Sequence, residues 1–77
     1  MNSFKITIKG LVQGVGFRPF VYRIAQEYEI KGFVLKTSDG VVIEAHGENS
    51  SLFIAALHTH LPERARIDSL TIEPCES

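Results

Sequence analysis

The stretch GLVQGVGFRPF, Gly10 to Phe20, lies between two apolar segments and holds three glycines, one glutamine and one arginine. Its composition is that of a loop, and its reading decides the rest of the chain. Before it, Phe4, Ile6 and Ile8 alternate with Lys5, Thr7 and Lys9. A period of two marks a strand with one buried face. After it, Pro19 is well placed as a first helical residue, where its missing N–H costs nothing. Phe17, Val21, Ile24, Ala25 and Tyr28 then recur at helical spacing. The pattern predicts a strand, a glycine loop and a helix from about Pro19 to Tyr28.

Working outward, Gly32 ends the turn after the helix. GFVLKT and VVIEAH read as two strands joined by Ser38, Asp39 and Gly40, since Asp-Gly between β-rich runs signals a hairpin. Ser50 or Ser51 can cap a second helix that carries Phe53, Ala56, Leu57 and Leu61 on one face. Pro62 discourages its continuation. RIDSLTIEP is a final strand with Leu70 and Ile72 inward, and Ile67 breaks its alternation, which predicts a bulge or a late start. Phe4 and Phe33 are assigned to the core. The order is β-α-β-β-α-β. These faces are buried most economically in an α+β, ferredoxin-like sandwich: a four-stranded antiparallel sheet with two helices on one face.

Seventy-seven residues make one domain, 1–77. The tail EPCES stops abruptly after a strand-like segment, compatible with the N-terminal part of a longer protein. Hydrophobic residues make up 44% of the chain, enough for an ordinary core. The net charge of −1 gives no basic field to recruit nucleic acid. No apolar run approaches the ~18 residues of a membrane span, and the N-terminus has no signal-peptide core. The lone Cys75 favours a reducing compartment, the cytoplasm.

The loop joins a strand to a helix N-terminus, where backbone N–H groups are unpaired and the dipole is positive. Gly14 and Gly16 permit positive φ and close approach of a ligand. Successive N–H groups in such a turn form an anion-binding concavity. Arg18 follows, with a planar fork that can hold two oxygens of a phosphate or carboxylate. A dinucleotide fingerprint is excluded because Pro19 stands where its third glycine belongs. A Walker loop is excluded because the stretch has no lysine. The residues alone leave two readings open, an oxyanion cradle and a plain connection whose glycines only make turns.

The same eleven residues closely resemble the acylphosphatase signature, in which a strand is followed by V-Q-G-V-x-F-R. Its second half, G-[FWY]-V-x-N-x-x-x-G-x-V, has its counterpart in GFVLKTSDGVV, Gly32 to Val42. The resemblance spans essentially the whole chain. It implies an acylphosphatase-type hydrolase domain without a cofactor of its own. It also implies a phosphate cradle of backbone N–H groups at Gln13, Gly14, Val15, Gly16 and Phe17, with Arg18 as the phosphate-binding arginine. A finer resemblance, in GFRPFV and ARIDSL, is to the N-terminal acylphosphatase-like domain of hydrogenase-maturation carbamoyltransferases. That implies carbamoyl phosphate as substrate and a role in making the cyanide ligands of [NiFe]-hydrogenase. Other domains of such a protein would use ATP and zinc and pass the carbamoyl group to a cysteine of a partner protein. The alternatives are a stand-alone acylphosphatase and a non-catalytic anion-binding or interaction module.

One position departs from the signature. The asparagine that orients the attacking water in the family falls at Lys36, and a further glycine of the second motif arrives one residue early, at Gly47. An asparagine carbonyl can accept a proton from water and so aim its lone pair at phosphorus. A protonated lysine has three donors and no acceptor. A like charge at Arg18 would favour a neutral Lys36 amine that accepts. Alternatively Lys36 adds ground-state binding at the cost of turnover, or points to solvent from an edge strand. Strand alternation puts it on the face of Val34, the side open to the loop in the family fold.

Other polar residues have plainer readings. His58 and His60 are two apart on a helix, about 200° around it, and cannot share a metal. His46 shows no partner in the sequence. Asp39 belongs to turn chemistry, and Arg64, Arg66 and Asp68 to a charged edge or docking surface. Cys75, near a terminus, reads as inert rather than nucleophilic.

Overall fold

β1 (Ser3–Leu11) runs through the middle of the sheet, paired antiparallel with β3 (Gly40–His46) on one side and β4 (Arg66–Pro74) on the other. β2 (Lys31–Lys36) pairs antiparallel with β3, giving the order β2-β3-β1-β4. The helices α1 (Phe17–Glu27) and α2 (Ser50–Thr59) complete the β-α-β-β-α-β order that the sequence pattern predicts. The structure is a computed structural model and describes residues 3–75.

The alternation in β1 sets the layers. Ile6 and Ile8 are fully buried and lie opposite Ile43 and Val41 of β3. Phe17, Phe20, Val21 and Ile24 of α1 and Phe53, Ala56 and Leu57 of α2 close over that face. The other face carries Lys5, Thr7 and Lys9. Phe33 is on this open face rather than in the core. Val34 is the residue that pairs with Ile43, so Phe33 stands opposite Glu44 and is 44% exposed. Three consecutive apolar residues, Phe33, Val34 and Leu35, gave alternation no means to choose between the faces.

Several ends differ from the sequence pattern by a residue or two. α1 begins at Phe17 because Gly16, in the left-handed region, already accepts the Phe20 N–H as the first helical bond. It ends in a Schellman turn. The Ile30 N–H donates to the Ala25 carbonyl, with Glu29 at φ 57° in the position glycine usually fills. Gly32 therefore lies inside β2. The residue before α2 is Asn49, not Ser50 or Ser51. Its amide donates to the Tyr28 carbonyl, while Ser50 Oγ donates back to Gly47. Leu70 and Ile72 face Ile8 and Ile6 as predicted. On this outer strand, however, Leu70 is only half-buried and Ile72 is 42% exposed. The bulge is present: Gly10 pairs with Ile67 and Lys9 with Ser69, which leaves Asp68 without a partner across the ladder.

β1 and β2 are both antiparallel to β3, hence parallel to each other, so Leu11 and Lys36 lie at the same end of the sheet. Gly40 starts β3 at that end, buried, where a Cβ would overlap the Ile8 carbonyl. Gly40→Ala should force the two central strands apart and cost about 2 kcal/mol or more. Urea unfolding measures this, and an unchanged midpoint would refute the close approach.

Candidate functional site

The segment between β1 and α1 is anchored at both ends. Val12 is buried as the chain leaves the sheet, and its N–H returns to the Gly10 carbonyl. Phe17 is buried as the helix begins, and Val15 packs half-buried against the core. Between these anchors Gly14 has φ 72° and Gly16 has φ 79°, while Val15 is not in the positive-φ region. This alternation of sign is the condition under which successive N–H groups turn to one side and form an anion nest. A Cβ at either glycine would meet no atom within 4 Å. The glycines are therefore required by backbone conformation and not by crowding, and the space above them is open.

Among the described residues, the backbone N–H groups of Gln13, Gly14, Val15, Gly16, Phe17 and Arg18 donate to no protein acceptor. Those nearest the helix also carry the positive end of the α1 dipole. Arg18 is exposed in the first turn and has no ion-pair or hydrogen-bond partner among the described residues. Free donors, a helix terminus and an uncommitted guanidinium thus lie within six consecutive residues. This is the composition of an oxyanion site.

The side chain of Gln13 does something the sequence did not reveal. Its Nε2 donates to the carbonyl oxygen of Thr37 at 2.5 Å and to that of Gly40 at 3.1 Å. Both acceptors belong to the turn between β2 and β3. The Gly10 N–H also reaches Asp39 O at 3.3 Å, and Lys9 pairs with the Asp39 carboxylate at 3.7 Å. The loop is therefore fastened to the hairpin turn that follows Lys36. Val41 faces Lys36 on one side and Ile8 on the other. At the spacing of sheet strands the row spans about 10 Å. Val41 and Ile8 are buried under the helices, so register assigns Lys36 to that same face, at the end where α1 begins. Lys36 is exposed and has no hydrogen-bond or ion-pair partner among the described residues.

The remaining polar residues lie elsewhere or have structural partners. His46, with no partner visible in the sequence, has two: Ser3 Oγ at 2.8 Å and Glu44 Oε1 at 3.0 Å. Ser3 is the strand neighbour of His46, at the end of the sheet far from the glycine loop. Arg66 and Asp68 form a bidentate surface pair, with Nε to Oδ1 at 2.8 Å; it raises the Arg66 pKa, first through the hydrogen bond and then through the charge. His58 and His60 are exposed. Among the described residues no three His, Cys, Asp or Glu side chains are grouped to hold a metal. Among the described residues no helix is long and apolar enough to cross a membrane.

The acylphosphatase family model matches residues 4–77, and this chain belongs to the acylphosphatase family. Among its relatives is the carbamoyltransferase HypF of Rhizobium leguminosarum bv. viciae, 47% identical over 72 residues. That match covers 94% of this chain and 10% of the relative. A solved structure of full-length HypF in a phosphate- and nucleotide-bound form superposes with a TM-score of 0.93 at 41% identity. It covers 99% of this chain and 10% of that one. The acylphosphatase of Bacillus subtilis superposes with a TM-score of 0.87 at 31% identity, covering 100% and 88% of the two chains. The chain thus spans about a tenth of the length of the HypF relatives and most of the length of this acylphosphatase. The sheet order and the two helices are those of the ferredoxin-like acylphosphatase fold.

Two contributors went unseen in the sequence. Val12 fell between strand and loop patterns, and the partners of the Gln13 amide are 24 and 27 residues away. Gly16→Ala should cost about 1–2 kcal/mol through backbone strain alone, since nothing crowds its Cβ. Urea denaturation gives the value, and unchanged stability would mean that the left-handed conformation is not held.

Proposed function

We propose that this chain binds the phosphoryl group of an acyl phosphate on the Gln13–Arg18 loop and hydrolyses it, with carbamoyl phosphate as the favoured substrate. The observation that carries the reading is the row of six unpaired N–H groups ending at an uncommitted arginine. In this reading the N–H groups of Gln13, Gly14, Val15, Gly16 and Phe17 cradle the phosphoryl oxygens. Arg18 takes two of them with its fork. Water attacks phosphorus in line with the departing carboxylate or carbamate. Positioning and charge stabilisation supply most of the catalysis in such a transfer.

The choice of carbamoyl phosphate rests on the similarity to proteins named carbamoyltransferase HypF. By the same similarity the chain is read as a domain of a longer, cytoplasmic protein of [NiFe]-hydrogenase maturation. ATP-using and zinc-binding domains would lie elsewhere in that protein, and its carbamoyl acceptor would be a cysteine of the partner HypE. Lys36 favours a second reading, an anion-binding module with little or no turnover. An ammonium at the water-orienting position strengthens phosphate binding and offers water no acceptor.

Arg18→Ala should weaken binding of inorganic phosphate by about 1.5–3 kcal/mol, an order of magnitude or more in Kd. Titration calorimetry reads this, and undiminished binding would move the site elsewhere. Lys36→Asn should raise kcat for benzoyl or carbamoyl phosphate by about 100-fold while weakening phosphate binding. Equal, high rates for both proteins would sink the assignment of Lys36 to the site. Phosphate binding with no turnover by the unaltered chain would select the second reading.

A further inference from the structure

An attacking water is aimed by an acceptor that takes one of its hydrogens and leaves a lone pair directed at phosphorus. A protonated Lys36 cannot be that acceptor. The loop itself holds another candidate. Both contacts of Gln13 Nε2 are to carbonyl oxygens, which can only accept. This settles the orientation of the amide, because the flipped amide would set its oxygen against two carbonyl oxygens. Two hydrogens meet two acceptors, so the NH2 group is saturated. The other end of the amide, Oε1, has no donor among the described residues. It is not a buried unsatisfied atom either, so solvent reaches it. The side chain is half-buried and fixed at two points, with an unpaired acceptor, one residue before Gly14 in the row of free N–H groups.

We propose that the Gln13 side-chain carbonyl is the group that orients the attacking water in this chain, in place of an acceptor at position 36. The assignment rests on the acyl-phosphate reading above. The water oxygen forms its bond to phosphorus as the bond from phosphorus to the acyl oxygen breaks. The electron pair leaves on the carboxylate or carbamate, and the two water hydrogens stay on the product as dihydrogen phosphate. Oε1 holds one of those hydrogens as a hydrogen-bond acceptor and never takes the proton. Gln13 thus has two separable functions: its donors fasten the loop to the hairpin turn, and its acceptor aims the nucleophile.

A double-mutant cycle separates them. Phosphate affinity is measured first by titration of the unaltered chain; if inorganic phosphate does not bind, the acyl-phosphate reading fails and this assignment with it. With phosphate bound, kcat for benzoyl phosphate is compared for Gln13→Met, Gln13→Lys and each combined with Lys36→Asn. Gln13→Lys keeps a donor for the Thr37 and Gly40 carbonyls but has no acceptor. Both single variants should lose about 10-fold or more in kcat. Restoring an acceptor with Lys36→Asn should shrink the loss to about 2-fold. Equal losses in both backgrounds would show that Gln13 is only a fastening. Full kcat in Gln13→Lys, or no turnover by the unaltered chain despite bound phosphate, overturns the assignment while leaving the phosphate site intact.

Discussion

The glycine loop takes its place from one side chain. Gln13 donates to two carbonyls of the β2–β3 turn, 24 and 27 residues further along the chain. Each such bond adds only about 0.5–1.5 kcal/mol net to stability. Its larger effect is geometric. Without it, nothing but the β1–β3 ladder, the Gly10–Asp39 bond and an exposed lysine–aspartate pair would hold the loop against the turn. With it, the row of free N–H groups, the start of α1 and the end of β2 become parts of one rigid corner. The close approach at Gly40 belongs to the same corner, because Gly40 presents its carbonyl both to Gln13 and to the Thr37 N–H.

That corner is electrostatically one-sided. Arg18 and Lys36 have no ion-pair partner among the described residues, and the one carboxylate in the turn, Asp39, is engaged with Lys9. Two cations without ion-pair partners and the end of a helix dipole at one end of the sheet favour an anion there. The net charge of −1 shows none of this, because it sums over the whole chain. A local field of this kind suits a small dianion better than a polymer, whose recognition calls for an extended basic track.

The fold was legible in the sequence because its signals were local and agreed with one another. The alternation in β1, the Asp-Gly hairpin and the helical spacing of Phe17, Val21 and Ile24 each fix an element without help from elsewhere. Legibility failed where an element had two equivalent choices, as at Phe33 in an apolar run. It failed again where a residue carried no intrinsic signal, as at Glu29, held in a left-handed turn by the Ala25–Ile30 bond. The same division runs through the site. The unpaired N–H groups of the loop and Arg18 are contiguous, so their juxtaposition could be anticipated from the sequence. The Gln13 bridge and the partners of His46 are contacts between distant positions, and composition alone does not encode them.

Binding and turnover place different demands on this corner, and the residues divide accordingly. In the proposed reading, a cradle of N–H donors with a cation would hold the phosphoryl group of substrate and product alike, so those contacts would lower the energy of bound states without selecting the transition state. Selection requires a group that acts on the nucleophile, and for that the chemistry needs a lone pair. The free side chains at this end of the sheet, Arg18 and Lys36, are donors. The acceptor has to come from an amide, a carbonyl, a carboxylate or a hydroxyl. The Asp39 carboxylate pairs with Lys9 through Oδ2, and the Thr37 and Gly40 carbonyls accept from Gln13. Gln13 Oε1 is a side-chain acceptor on the loop itself, held in orientation by the two bonds of Nε2. In the proposed assignment, the bonds that fasten the corner also orient the atom that acts on water.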